Sequence, residues 1–311
     1  MLDNFKIIKS LGHGCSSKVF LVEDDCGQKY AAKVIRKDKK YSQAFSAGLL
    51  KGEFHKLMKF EHHPNFIRAY QVNLEGTFIS GSTWYTVMYN LMEYAQNNTI
   101  SDYIRYTGPV EEEIARFWMW QLVYAVSSMH HQNIAHWDIK LENILLDEFY
   151  NIKLADLGTS LELVKTKGFT SLRRGTRFYL PPEVEKSDEN SPYNAMEADV
   201  YTLGVTLFLL LTGEFPTRQL IDEDWWSTST TDDATEKDIP LDIYIKSKWY
   251  DFSDDLKELL QKMLSSYPSE RPTIDEVIKS PWLSMPFNEE LPYMVYEEMS
   301  ARSSHKGSLS N

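Results

Sequence analysis

Two stretches near the start of this chain carry residue types that suit the binding of an anion. Lys33 lies inside the run Tyr30–Ile35, which is rich in apolar and β-branched residues and predicts a strand. A lysine in such surroundings is expected to face an anionic group, although a surface lysine with its stem packed on apolar residues also fits. Gly12 and Gly14 stand between two strand-like runs, where the absence of a Cβ lets backbone N–H groups approach phosphates closely. The glycines alone also fit a simple hairpin turn.

Further motifs follow in a fixed order. In chain order, the full set is LGHGCSSKV at 11–19, AAK at 31–33, HWDIKLEN at 136–143, DLG at 156–158 and GTRFYLPPE at 175–183. Together these motifs resemble those of the eukaryotic protein kinase family, and in particular its calcium/calmodulin-dependent and AMP-activated group. The resemblance extends over residues 5–283, and the third motif lacks the arginine of the family's H-R-D sequence.

The resemblance implies a role for each charged residue in these motifs. Asp138 would accept or orient the proton of the acceptor hydroxyl, and Lys140 would neutralise charge on the transferring phosphoryl group. Lys33 would hold the α- and β-phosphates of ATP and pair with Glu53 on the next helix. The predicted ligands of Mg²⁺ are Asn143 and Asp156.

The resemblance also implies an ATP site with an apolar slot for the adenine ring. Met92 would be the gatekeeper, and the backbone groups of Glu93 and Ala95 would bond to the adenine edge. The predicted nucleotide-binding residues are Leu11, Gly12, Gly14, Val19, Ala31, Lys33, Met92, Glu93, Ala95 and Leu145. The apolar members of this set would equally fit an ordinary core.

The predicted secondary structure that must position these residues changes from strands to helices along the chain. Short strand-like runs dominate the first 90 residues, with one helical stretch at Leu49–Phe60, and helices dominate from about residue 99. The further predicted helices are Glu111–Gln132, Ala198–Leu211, Ser253–Leu264 and Thr273–Lys279. We therefore expect an α+β, bilobal kinase fold, with a small β-rich N-lobe at 1–92, a hinge at 93–98 and a helical C-lobe at 99–283. Residues 217–248 are expected to be rich in loops, and the tail at 284–311 to be partly disordered, from about residue 300 onward.

Two departures from the family pattern occur together. Trp137 replaces the H-R-D arginine, and Leu172 stands where the usual phosphoacceptor would be. Tryptophan has no charge and a single donor, so it cannot pair with a phosphate as arginine does. We expect activity that does not depend on phosphorylation at this position, with Trp137 and Leu172 in an apolar contact. Thr170 and Ser171 remain as candidate sites nearby.

Three functions are compatible with these motifs. Lys140, two residues after Asp138, resembles serine/threonine kinases more than tyrosine kinases and favours an active enzyme of that type. Ser17, which replaces a third glycine, and Trp137 favour the alternative of a pseudokinase that binds ATP as a scaffold. A kinase of lipids or small molecules is disfavoured by the segment at 175–183, because this segment resembles a peptide-binding platform.

Two further contacts are implied by the resemblance. Thr176 matches a threonine that ties the peptide-binding loop to the catalytic aspartate in serine/threonine kinases. Glu183 is expected to form a buried ion pair with Arg271.

Composition bounds the partners and the compartment. The apolar fraction is 42% and the formal net charge is −12, with 13 Lys and Arg against 8 Asp and Glu in residues 1–92. The rest of the chain is strongly acidic, which argues against nucleic acid as a partner. Two cysteines, no secretory signal and no predicted membrane span favour an intracellular, cytoplasmic protein.

The resemblance also bears on the substrate. Glu142 and Asp102 stand where many kinases that prefer basic substrates carry acidic residues, so we expect a preference for Arg or Lys N-terminal to the acceptor.

Overall fold

The computed structural model describes residues 1–13, 17–36, 42–188, 190–216 and 248–309, with side chains described as far as residue 304. Two compact units are present. The first contains Met1–Asn98 and Leu145–Gly158, and the second contains Thr99–Ile144 and Thr159–Asn311. Gly14, Cys15 and most of the predicted loop-rich segment at 217–248 lie outside the described residues.

The first unit is built on a five-stranded antiparallel sheet in the order β1-β2-β3-β5-β4. Its strands are β1 Lys6–His13, β2 Ser17–Glu23, β3 Lys29–Arg36, β4 Ala69–Ser80 and β5 Thr83–Glu93. The sequence predicted short strands in the first 90 residues, among them the run Tyr30–Ile35 that lies in β3, but it gave no signal for β4. That strand carries Asn73, Glu75 and Gly76 and only three buried or half-buried apolar side chains before Phe78, so its alternation is weak.

Side chains alternate between the two faces of this sheet, as a strand requires. Ala32, Val34 and Tyr89 belong to a core cluster on one face. Ile35 and Met88 lie on the other face and pack against Leu50 of the helix α1, Gln43–Lys59. This helix begins before its predicted start because the Ser42 side chain accepts a hydrogen bond from the backbone of Phe45 and caps its N-terminus.

Residues 145–158 belong to the first unit because their backbone pairs with it. The strands β7 Ile144–Leu146 and β8 Ile152–Leu154 form a two-stranded sheet. The amide of Ile67 donates to the carbonyl of Leu154 at 3.0 Å, and the amide of Leu154 donates to that of Asn65 at 2.7 Å. The predicted C-lobe at 99–283 includes these residues, because the prediction did not contain this return of the chain to the first unit.

The second unit is mainly helical. Its helices are α2 Ile100–Thr107, α3 Glu112–His130, α4 Pro182–Lys186, α5 Ala195–Thr212, α6 Asp254–Met263, α7 Ile274–Ile278, α8 Pro281–Ser284 and α9 Leu291–Leu309. Short strands pair β6 Ile134–Ala135 with β9 Leu161–Glu162, and β10 Phe169–Thr170 with β11 Tyr193–Asn194. Among the described helices, only α5 is long and apolar enough to cross a membrane, and 89% of it is buried inside the protein.

The tail forms the helix α9 and docks on the second unit. Leu291, Val295 and Met299, spaced four residues apart, are fully or almost fully buried. The Arg302 side chain donates to the carbonyls of Gly108 and Pro109 at 3.2 and 3.0 Å, just beyond the end of α2. The helix extends to Leu309, and as far as Arg302 these contacts hold residues of the segment for which the Ser-rich composition predicted disorder from about residue 300 onward.

Candidate active site

Lys33 projects from β3 and contacts two carboxylates. Its Nζ lies 2.7 Å from Oε1 of Glu53, on α1, and 2.8 Å from Oδ1 of Asp156. The Lys33 side chain is 17% exposed and that of Glu53 is 3% exposed. The predicted pairing of Lys33 with Glu53 is thus present, and Asp156 is brought to the same cation.

The electrostatics of this cluster keep the lysine charged. Burial alone would lower the pKa of Lys33, but the carboxylates of Glu53 and Asp156 outweigh it and raise the pKa above its ordinary value. Burial raises the pKa of Glu53, and the Lys33 ammonium opposes that rise. A positively charged group is therefore held in a largely buried position, where its field is weakly screened.

Asp156 adopts a backbone conformation that is unusual for its residue type. Its φ is +61°, in the left-handed region, and its side chain is 43% exposed. A Cβ on Gly158, two residues later in the chain, would come within 3.2 Å of the Asp156 carboxylate. The glycine therefore leaves room for the carboxylate. Strained residues of this kind cluster at functional sites.

The predicted adenine slot lies within the first unit as far as the structure describes it. Ala31 pairs with Met92 across β3 and β5, and Val19 on β2 pairs with Lys33. Leu11 and Gly12 lie near the end of β1, and a Cβ built on Gly12 would meet no atom of the described residues within 4 Å. Leu145, which begins the returning segment, is half-buried.

The predicted hinge residues offer different backbone groups. The amide of Glu93 donates to the carbonyl of Arg68 at 2.8 Å, and the Glu93 carboxylate binds Lys153 at 2.9 Å. Within the described part of the chain, no hydrogen bond involves the backbone amide or carbonyl of Ala95. A donor and an acceptor at Ala95 thus remain for a ligand.

In the second unit, Asp138 is the centre of a hydrogen-bonded group. Its Oδ1 accepts from the Thr176 hydroxyl at 2.7 Å, and its Oδ2 lies 2.7 Å from the Nζ of Lys140. Lys140 also donates to the Thr176 hydroxyl at 2.8 Å. The predicted link from Thr176 to Asp138 is present, and it fixes the direction in which the carboxylate points.

The residues assigned to magnesium offer the oxygen donors that this ion prefers. The Asn143 amide nitrogen makes both of its described bonds to Asp138, at 2.7 Å to the carbonyl and 3.3 Å to Oδ2. Its amide oxygen is then the atom that could bind a cation. Asp156 supplies a partly exposed carboxylate. Magnesium is commonly held by one or two protein groups together with phosphates, so the donor chemistry fits, although the described residues contain no cluster of three or more His, Cys, Asp or Glu.

Asp199 anchors the loop that carries Asp138. This aspartate on α5 is 1% exposed and accepts from the backbone amides of His136 and Trp137 at 2.7 and 2.8 Å. The ring of His130 lies 3.0 Å away from its Oδ2. The sequence did not predict this role of Asp199, which becomes visible through contacts between residues that are distant in the chain.

Trp137 makes a polar connection that the sequence did not predict. Its indole nitrogen donates to the Tyr193 hydroxyl at 2.7 Å, and that hydroxyl donates to the Leu172 carbonyl at 2.7 Å. The Leu172 side chain is 52% exposed and does not join the apolar cluster that contains Trp137. The expected apolar contact is therefore replaced by a hydrogen-bonded bridge, because Tyr193 reaches between the two residues.

The end of the segment at 175–183 is held by an ion pair. Arg271 binds Glu183 through two parallel contacts of 2.6 and 2.9 Å, and its side chain is fully buried. The guanidinium also donates to the carbonyls of Ser265 and Glu197. The predicted pair is confirmed, and its bidentate geometry is the one that favours arginine.

Two acidic residues expected to face a basic substrate differ in their contacts. Oε2 of Glu142 lies 3.4 Å from the Tyr179 hydroxyl, and the Glu142 residue is exposed. Asp102 forms a capping box with Thr99 and accepts from its backbone amide and hydroxyl at 3.3 and 3.0 Å. The contacts of Asp102 thus assign it a structural task in α2, which the sequence did not predict.

A strand lysine paired with a helix glutamate, and a loop aspartate held by lysine and threonine, are the arrangement of a protein kinase domain. The chain belongs to this family, whose protein kinase domain model matches residues 5–283.

Curated relatives of this chain are also named as kinases. The chain is 30% identical over 310 residues to CBL-interacting serine/threonine-protein kinase 13 of Arabidopsis thaliana, covering 96% of this chain and 55% of that protein. It is 32% identical over 287 residues to putative sperm motility kinase W of Mus musculus, covering 90% and 50% respectively. For probable serine/threonine-protein kinase MARK-A of Dictyostelium discoideum, identity is 32% with 91% and 24% covered. The chain thus spans about half, or less, of the length of these relatives.

Proposed function

We propose that this domain is an active protein serine/threonine kinase that transfers the γ-phosphate of ATP to a protein hydroxyl group. The observation that carries this proposal is the fixed position of Asp138 between Lys140 and Thr176. Phosphoryl transfer is catalysed mainly by positioning and electrostatic stabilisation. A domain that retains these charged groups retains what the reaction needs.

Each group has a task in that reaction. The Asp138 carboxylate orients the acceptor hydroxyl and receives its proton while the hydroxyl oxygen forms a bond to the γ-phosphorus. The bond between that phosphorus and the bridging oxygen breaks, and ADP leaves. Lys140 offsets negative charge on the transferring group, and Lys33 holds the α- and β-phosphates. Thr176 keeps the carboxylate aimed at the acceptor.

The remaining assignments concern the nucleotide. Glu93 and Ala95 bind the adenine edge through their backbones, beside the gatekeeper Met92. Asp156 and Asn143 would hold magnesium, which would supply positive charge at the phosphates. Gly12 lets the backbone approach the same phosphates.

We further infer that activity does not require phosphorylation at position 172. The bridge from Trp137 through Tyr193 to the Leu172 carbonyl supports this inference, because it links the catalytic loop to the segment without a phosphate. A neutral chain of two hydrogen bonds takes the place of an arginine–phosphate pair.

The alternative is a pseudokinase that binds ATP without transferring phosphate. It is favoured by Trp137, which stands in place of the family's arginine, and by Ser17, which replaces the third glycine. The two proposals differ in turnover and agree in nucleotide binding.

The experiment is a transfer assay with radiolabelled ATP, Mg²⁺ and a basic generic protein substrate, followed by analysis of the phosphorylated amino acids. The Lys33→Met variant is the inactive control. Label on serine or threonine that disappears in this variant supports the kinase. Absence of label, with ATP still raising the Tm of the wild-type protein, supports the pseudokinase instead.

Substrate preference and compartment are separate proposals. The exposed Glu142 supports a preference for Arg or Lys N-terminal to the acceptor, and a peptide array comparing the wild type with Glu142→Gln tests it. Equal profiles for the two proteins would remove Glu142 from the account. The low cysteine content supports a cytoplasmic location, which imaging of the tagged protein in cells tests.

A further inference from the structure

Asn90 is a polar side chain in a position where its surroundings are apolar. It is fully buried on β5 and pairs directly with Lys33 on β3, so both side chains leave the same face of the sheet. The neighbours on that face, Ile35 and Met88, belong to an apolar cluster with Leu50. A buried amide in such a place needs partners, since an unsatisfied one disfavours folding.

The partners of Asn90 lie on α1. Its Nδ2 donates to the Leu50 carbonyl at 3.2 Å and to Oε2 of Glu53 at 3.4 Å. Both groups are acceptors, which assigns the nitrogen to this side of the amide. Oδ1 of Asn90 is buried and has no hydrogen-bond partner among the described residues. The side chain is thus satisfied only toward the helix.

The Glu53 carboxylate is divided between two donors. Oε1 binds Lys33 at 2.7 Å, and Oε2 is the atom that faces Asn90. Glu53 is itself almost fully buried, so water contributes little to holding it in place. Asp156 also acts on the Glu53 carboxylate, but as an anion it supplies no donor to it. Removal of the Asn90 donor would therefore leave Lys33 as the one donor to this carboxylate among the described residues.

We propose that Asn90 is a positioning residue that holds Glu53, and through Glu53 the ammonium of Lys33, in the geometry that receives the nucleotide phosphates. The idea rests on the proposed function only for its turnover readout, because nucleotide binding reports on Lys33 whether or not transfer occurs. Asn90 does not contact the nucleotide in this account. It acts through the helix glutamate.

A space-filling role for Asn90 makes a different prediction. If the side chain only fills the core, a leucine of similar size should serve as well, and its effect should not depend on Glu53. If it positions Glu53, the leucine should impair phosphate binding only while the Glu53 carboxylate is present. A double-mutant cycle separates the two roles.

The experiment compares wild type, Asn90→Leu, Glu53→Gln and the double variant. Met88→Leu is the matched control, since it changes a fully buried side chain on the same strand and face without touching Glu53. For each protein, kcat and KM for ATP, the calorimetric Kd for ADP, and the Tm are measured well below the lowest Tm.

We expect Asn90→Leu to lower kcat/KM for ATP about fivefold or more, and to weaken ADP binding, while Met88→Leu has little effect. In the Glu53→Gln background the same change should have less than about a twofold effect. Equal effects in both backgrounds, or no effect in the wild-type background, would overturn the proposal. If the wild type transfers no phosphate, the proposed function fails, and the cycle in ADP Kd still decides the role of Asn90.

Discussion

The indole nitrogen of Trp137 lies 2.7 Å from the hydroxyl oxygen of Tyr193, and both side chains are almost fully buried. Because that hydroxyl donates onward to the Leu172 carbonyl, the residue before Asp138 is connected to the segment at 161–183. In the protein kinase family, the position of Trp137 normally carries the H-R-D arginine, which pairs with a phosphate on this segment. Here it carries neutral hydrogen bonds, so its effect should not depend on a kinase acting upstream.

Tyr193→Phe should make the segment at 161–183 less ordered without creating a cavity in the core. The change removes two buried hydrogen bonds while leaving the ring, so we expect the free energy of unfolding to fall by about 1–3 kcal/mol. Amide hydrogen exchange at 169–174 should accelerate, and kcat should fall more than KM changes. Tyr267→Phe, at a hydroxyl on an exposed side chain, is the control. Unchanged exchange in the Tyr193 variant would show that the bridge does not order the segment.

The same hydroxyl predicts a pH dependence. Burial raises the pKa of Tyr193 from 10 to about 12, although the Trp137 donor opposes the rise. The folded protein therefore holds this proton more tightly than the unfolded chain, and the resulting stability is complete below pH 10 and is lost as the pH rises to about 12. Chemical unfolding of wild type and Tyr193→Phe from about pH 9 to about pH 12 should show a difference in stability that shrinks by about 1–3 kcal/mol. Parallel curves would contradict this.

Arg271→Ala should be among the most destabilising single changes in the helical unit. It leaves the carboxylate of Glu183 without its buried partner, and breaking such a pair on one side costs about 3–5 kcal/mol. Denaturant unfolding measures this loss. Lys262→Ala removes a short ion pair with Glu258 whose side chains are more than half exposed, and should have an effect within about 1 kcal/mol. Similar losses for the two variants would mean that Glu183–Arg271 does not anchor the segment.

Thr176→Ala should lower kcat by about tenfold or more, since it removes the donor that orients Asp138 and the acceptor that receives Lys140. Thr176→Ser retains the hydroxyl and should recover most of the rate. Steady-state kinetics with a peptide substrate provides the comparison. A serine variant as slow as the alanine variant would point to a role for the methyl group instead.

The resemblance to the protein kinase family predicts well the contacts that its motif residues make. It implied the pairs Lys33 with Glu53, Glu183 with Arg271, and Thr176 with Asp138, and each contact is present. The main helices also follow from apolar periodicity, with ends displaced by a few residues where caps such as Ser42 decide.

Contacts between residues that belong to no motif could not be predicted. Tyr193 and Asn90 act through partners far away in the chain, and neither has a periodic or compositional signal. The tail helix was missed because Val295, Met299 and Arg302 stabilise it by packing on other helices, which local composition does not reveal.

Asp138→Asn tests the central claim most directly. The substitution keeps the size of the side chain and removes the carboxylate, so we expect kcat for peptide phosphorylation to fall by about a thousandfold while the Kd for ATP stays within about twofold. Asp251→Asn, at an exposed aspartate, is the control and should behave as the wild type. Turnover retained in Asp138→Asn would show that the reaction uses another base, and this account of the site would be wrong.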